Sequence, residues 1–146
     1  MKKLLFTVIL ISAVSCQTGS INPENIDFGR FTMKIPGKWK ETKQQGYDSY
    51  IWEIRISSKE KLSIDHGWYS NRLEVDPATH DINFVIIDNK RAKIVSPRNF
   101  GKGTTGVYFD SLETTKTNRF QMSGTNLSPK NQRQFLNAVG TLKFKD

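Results

Sequence analysis

Cysteine occurs once in these 146 residues and histidine twice, and one short segment at the start is the only long apolar run. A single cysteine permits no internal disulfide, so in an oxidising compartment the fold must rest on its hydrophobic core, and thiolate metal clusters are excluded. The sequence contains neither a G-x-S-x-G nucleophile elbow nor a P-loop. GKGTTG at 101–106 lacks the spacing and the Lys-Ser/Thr ending that cradle phosphate, and reads as a turn. Acidic residues are also scarce, 14 against 22 lysines and arginines, which favours anionic partners.

What is present begins with MKKLLFTVILISAVSC: two lysines, an apolar run from Leu4 to Ile11, then small residues up to Cys16. That is the order of a secretory signal, and the run falls short of the roughly 20 apolar residues a spanning helix needs. Ala13, Val14, Ser15 and Cys16 resemble a bacterial lipobox, although Ala13 stands where leucine is usual. The resemblance implies cleavage before Cys16 and a diacylglycerol on its sulfur, a palmitate-type lipid anchor. The other reading is ordinary signal cleavage near the same small residues, with Cys16 incidental. Several acyl chains, at about 0.8 kcal/mol per buried methylene, give a durable anchor.

The expected organisation is a signal peptide over 1–15, a flexible tether over 16–25 and one domain over 26–146. The mature chain then keeps 20 basic and 14 acidic side chains, since Lys2 and Lys3 leave with the signal. Export, more than charge, argues against nucleic acid as partner. No acidic cluster follows Cys16, so the surface-export tag of some lipoproteins of Bacteroidetes-like bacteria is lacking and a periplasm-facing position is expected.

Alternation over Phe31, Met33 and Ile35 predicts a strand ended by Pro36-Gly37, with Trp39 closing over the core. Tyr50, Trp52, Ile54 and Ile56 predict a second strand, and Leu62, Ile64, His66 and Trp68 a third in the same phase, joined by the polar link SSKEK. INFVIID and KRAKIVS flank Asp88-Asn89 as a hairpin, and GVYFDSL and NRFQMSG add two strands. Ser128 as cap, Pro129 in the first turn, a stripe of Phe135, Leu136 and Val139 and a left-handed Gly140 predict one helix, followed by a closing strand with Leu142 and Phe144. The fold class is α+β, a mainly antiparallel sheet packed by the C-terminal helix. GRFTMKIPGKW, the meander and FLNAVGTLKF resemble the PsbP-like fold, which implies a scaffold for contacts and no particular reaction.

Candidate sites are few. KRAKIVSPRNFGKG gathers Lys90, Arg91, Lys93, Arg98 and Lys102 around Phe100, a binding surface for an anionic ligand or envelope protein; the plainer reading is a solvated hairpin edge guarded by lysine. His66 with Asp65, Asp76 and Asp81 makes the alternative of an envelope glycan or peptide hydrolase, and His80 the only other imidazole for a metal. Trp39, Trp52 and Trp68 make a small-ligand carrier a further alternative. Ser58-Lys59-Glu60-Lys61, Tyr69-Ser70-Asn71 and Lys102-Gly103-Thr104 echo the motifs of penicillin-recognising serine enzymes, but Ser58–Lys61 falls in a link between strands where the motif needs a helix. Asp110-Ser111-Leu112 resembles a serine O-glycosylation acceptor of Bacteroidetes-like bacteria. The expectation is therefore a non-enzymatic, lipid-anchored binding or accessory module of the cell envelope, with neither cofactor nor metal.

Overall fold

The computed structural model describes residues 22–44, 46–112 and 118–145. The expected signal peptide, the lipobox-like residues and Cys16 lie outside them. Ten strands and one helix follow in chain order: β1 Pro23–Asp27, β2 Phe31–Pro36, β3 Lys40–Gln44, β4 Tyr50–Arg55, β5 Lys61–Gly67, β6 His80–Ile87, β7 Lys90–Pro97, β8 Thr104–Phe109, β9 Arg119–Thr125, α1 Pro129–Val139 and β10 Lys143–Phe144. The first described strand begins at Pro23, so the tether expected to run to residue 25 gives its last three residues to β1.

The class expected from the pattern holds: every pairing is antiparallel and one C-terminal helix packs on the strands. The strands nevertheless divide into two sheets. The larger has the order β3-β4-β5-β9-β8-β7-β6, and the smaller has β2 between β1 and β10. Their facing surfaces form the core. Phe31 and Met33 of β2 are fully buried, and the Phe31 ring meets Trp52 edge-on at 5.8 Å and Phe120 at 5.0 Å. Helix α1 completes the cover with Phe135, Ala138 and Val139. Trp39 closes over this core, as its place after the turn implied.

The β6–β7 hairpin turns at Asp88-Asn89 with φ of 50° and 60°, the two left-handed residues that a tight hairpin turn demands and that Asx side chains tolerate. Asp88 also joins the sheets. Its carboxylate accepts from Phe144 N–H at 2.8 Å and from Lys143 Nζ at 3.0 Å, and the Phe144 bond foremost holds its pKa below the usual range.

Three local expectations are corrected. β5 ends at Gly67, where the buried Ser70 hydroxyl accepts the Gly67 N–H at 3.2 Å, so Trp68 leaves the strand's phase and stands 55% exposed. Gly140 is right-handed, at φ −63°; the chain turns by Thr141 N–H to Ala138 O and Leu142 N–H to Val139 O, which drops Leu142 straight into the core. In the helix, Leu136 is half-buried, while Asn131 and Gln132 take inward positions of the first turn.

The Ser128 hydroxyl makes no capping bond. A carboxylate from far along the chain takes its place. Glu60, in the β4–β5 link, accepts from Ser128 N–H at 2.5 Å and from the buried Asn131 Nδ2 at 2.6 Å. Burial pushes its pKa up, but these bonds together with one from Ser57 outweigh it, and the net displacement is downward. Negative charge at a helix N-terminus is favourable, and this helix has no acidic residue of its own in its first turn. Because the folded state lowers the Glu60 pKa, the stabilisation is fully present above the ordinary carboxylate range and is lost as pH falls through the folded-state value. Glu60→Ala should lower unfolding free energy by about 2 kcal/mol at neutral pH, from a lost cap and an orphaned buried amide. The gap from wild type should narrow in acid. Urea melts at pH 7 and pH 3.5 check both; an equal gap at the two pH values would count against the ionised cap.

Candidate functional site

The large sheet has a second face, turned away from the core, and the link from β5 to β6 crosses it. That strap lays Leu73 and Val75 against Val95 and Tyr108. Leu73 can approach because position 106 is glycine: a Cβ there would lie 2.7 Å from Leu73 Cδ1 and 2.9 Å from the Met122 carbonyl oxygen. By carrying Arg72 and Glu74 across, the strap walls one side of a groove of about 470 Å³. Its remaining lining is Phe84, Arg91, Lys93, Tyr108, Asp110 and Ser111.

Alternation along β6, β7 and β8 sets the composition of this groove. Opposite Phe84 stands Lys93, opposite Lys93 stands Tyr108, and Ile86 faces Arg91. The Arg91 guanidinium lies 4.3 Å from the Phe84 ring centre and Lys93 Nζ 5.8 Å from that of Tyr108, within cation–π range. Both cations therefore sit over aromatic faces and keep their hydrogen-bond donors for another group. Tyr108 donates to Asp110 at 2.7 Å. Burial first, and then that bond and the Asp110 charge, push the phenol up to about 12, so it remains a protonated donor throughout the physiological range. Asp110 also has Arg119 at 3.6 Å, which offsets part of its charge. The groove is thus basic and aromatic, with Arg72, Arg91 and Lys93 against Glu74 and a partly neutralised Asp110.

Of the five basic residues expected to gather, the fold brings two together. Arg91 and Lys93 share the outer face. Lys90 belongs to the opposite phase of β7 and rests at the hairpin turn, 5.9 Å from the Phe144 ring. Arg98 lies beyond the other end of β7, where it pairs with Asp81 at 2.8 Å and donates to Ala78 O. Lys102 sits exposed in the turn before β8, away from the groove lining. Seven residues of linear sequence hold Arg91 and Arg98 at opposite ends of one strand. Arg72 and Glu74 went unread, because the strap has no periodicity and nothing in its composition says which strands it crosses, and Asp110 was read only as part of a glycosylation acceptor. Tyr108 could have been placed on the outer face from its alternation with Val107 and Phe109.

The hydrolase constellation does not converge. His66 is buried on the inner face with its ring 6.0 Å from Phe120 and 6.3 Å from Tyr50, whereas Asp65, its strand neighbour, takes the outer face. Asp81 is on β6, four strands away in the sheet order, about 19 Å at ~4.8 Å per strand. Asp76 begins a turn whose backbone it ties by accepting from Ala78 N–H, and His80 bonds Thr104 N–H at 3.1 Å. Among the described residues no group of three or more His, Cys, Asp or Glu could hold a metal ion. The tryptophans do not share a groove either: Trp39 and Trp52 are core residues and Trp68 is outside it. Ser58 lies in the β4–β5 link and Ser70 is buried, so the serine-enzyme echo has no geometry behind it. Ser111 is half-buried at the groove, beside Asp110. Among the described residues no helix is long and apolar enough to cross a membrane.

No protein-family model matches the chain, and no curated protein sequence matches it.

Proposed function

We propose that this protein is a membrane-tethered, non-enzymatic binding module of a bacterial cell envelope, lipidated on Cys16, facing the periplasm and binding an anionic partner through the outer-face groove. The observation that carries the binding part is the placing of Arg91 and Lys93 over Phe84 and Tyr108 on an open face that the core does not use. Cations held over aromatic rings at fixed strand positions are ordered in advance, so less side-chain freedom is lost when carboxylates arrive. The location part rests on the lipobox-like Ala13–Cys16 and the charged and apolar residues before it. A PsbP-like scaffold is favoured by the Ile35-Pro36-Gly37-Lys38-Trp39 turn after β2, the antiparallel meander and the closing helix–strand pair. A hydrolytic reading is disfavoured by the separation of His66 from Asp65 and Asp81.

The test uses the folded domain and a fluorescein-labelled octaglutamate peptide, followed by polarisation. Arg91→Glu with Lys93→Glu should weaken binding at least tenfold at low salt, and the wild-type affinity should fall steeply as salt rises. Lys40→Glu with Lys43→Glu, on the far edge strand β3, is the charge-matched control and should cost little. Equal weakening by both pairs would mean that the probe answers to net charge alone, and the groove would lose its role.

A further inference from the structure

The two edges of the large sheet are built differently. β3, at one edge, reads KETKQ, and all five residues are exposed, with charges that discourage another strand from adding. β6, at the other edge, reads HDINFVII and pairs only with β7 among the described strands. Ile82, Phe84, Val85 and Ile86 are all exposed, Phe84 by 57% and Ile86 by 69%. From Ile82 to Ile87 this edge carries no charge and one polar residue, Asn83, and a long apolar edge is what natural sheets ordinarily avoid unless something pairs with it.

The hairpin fixes which backbone groups are free. A two-residue turn makes Ile87 and Lys90 a hydrogen-bonded pair, and in an antiparallel ladder such pairs alternate with non-bonded ones. The bonded residues of β6 are therefore Ile87, Val85, Asn83 and Asp81, and the Arg98 N–H to Thr79 O bond at 3.0 Å continues the same phase. It follows that Ile82, Phe84 and Ile86 point their N–H and C=O groups off the sheet. These are also the residues whose side chains stand on the outer face, next to Arg91 and Lys93.

We propose that β6 is a docking edge on which an extended, acidic segment of a partner protein adds as a further strand of the large sheet, antiparallel, with its carboxylates over Phe84 toward Arg91 and Lys93. This rests on the groove reading given above and names the partner's form. Charge decides the occupant. Two copies pairing β6 to β6 about a two-fold axis would bring two Arg91–Lys93 pairs onto one surface of a chain that is already basic, with 20 basic against 14 acidic side chains after Cys16. An acidic strand meets that surface with opposite charge and supplies the backbone partners that Ile82, Phe84 and Ile86 lack.

The phase gives a sharp test. In a capped eight-residue peptide of alternating glutamate and valine, glutamates on the outer face opposite Phe84 direct their own N–H groups at β6, while valine N–H groups face solvent. N-methylation of the glutamates should therefore weaken binding at least tenfold, and N-methylation of the valines should not, although the two peptides have equal charge and composition. Equal binding of both N-methylated peptides would overturn strand addition while leaving the groove's preference for carboxylates intact. Failure of the parent peptide to bind while octaglutamate still does would also overturn it. Loss of octaglutamate selectivity for the groove defeats the underlying reading instead. Ile86→Pro is the reciprocal variant: its missing N–H faces the free edge, so an unchanged melting temperature with tenfold weaker peptide binding is expected. Concentration-dependent dimerisation abolished by Ile82→Lys would identify a second copy as the occupant and overturn the proposal. Equal affinity for the lysine-for-glutamate peptide would overturn its charge.

Discussion

Replacing Phe31 by alanine should remove about 3–5 kcal/mol of stability, a large part of the roughly 5–15 kcal/mol typical of a small domain. Phe31 sits on β2, the middle strand of the small sheet, and its ring is stacked 4.6 Å from Phe28, edge-on to Trp52 at 5.8 Å and to Phe120 at 5.0 Å, with Phe144 at 6.3 Å. Those neighbours come from both sheets, so the cavity left behind opens between layers that backbone bonds cannot pull together. Relaxation would have to move a whole sheet, which places the cost in the upper part of the range for large-to-small changes. Because the chain has one cysteine, no disulfide supports the fold from elsewhere. Urea unfolding followed by tryptophan fluorescence measures this, since Trp52 is in contact with the site; an unchanged slope with a lower midpoint marks a change in stability alone. Phe100→Ala, at an exposed phenylalanine, should stay within about 0.5 kcal/mol of wild type. A Phe31→Ala loss below ~1 kcal/mol would mean that the two sheets are not held by this cluster.

The other large effect concerns place. Cys16→Ala should move the protein from the membrane fraction to the soluble fraction and abolish labelling by a palmitate analogue, while the domain's melting temperature stays the same. The first described strand begins at Pro23, so position 16 precedes it by seven residues. Among the described residues no helix is long and apolar enough to cross a membrane. A basic groove adds affinity for anionic lipid of only about 1 kcal/mol per cation near the surface, and this is screened by salt. High-salt washing therefore separates the two contributions. Wild type should stay with the membrane after it, and Cys16→Ala should not; a variant that remained membrane-bound and labelled would show another attachment.

Most strands were legible because each carries its own signal. Phe31, Met33 and Ile35 alternate with polar residues, and Asp88-Asn89 fits a turn that needs two left-handed residues. The helix was legible from Pro129 and the spacing of Phe135 and Val139. Features made by residues distant in sequence were not. Nothing near Ser128 announces that Glu60 caps the helix from 68 residues away, and Ser128 itself looks sufficient for the task. Division into two sheets is likewise invisible, because β2 and β4 show the same period and only the pairing of β2 with β1 and β10, and with no strand of the large sheet, separates them. The groove was half legible. Arg91 and Lys93 lie two apart on a predicted strand and so had to share a face, whereas Lys90, Arg98 and Lys102 were grouped by closeness in sequence, which a strand rising about 3.3 Å per residue quickly turns into distance. Arg72 reaches the groove only because Leu73 finds room over Gly106, a fact of packing.

The central claim is that Cys16 carries lipid and so keeps an anion-binding sheet at a bilayer. Mass spectrometry of the N-terminal peptide from membrane-purified protein tests it most directly. The account predicts a chain that begins at Cys16 with its sulfur in a thioether to diacylglycerol. A bare Cys16 thiol on the mature protein, or cleavage at any other bond, would contradict it.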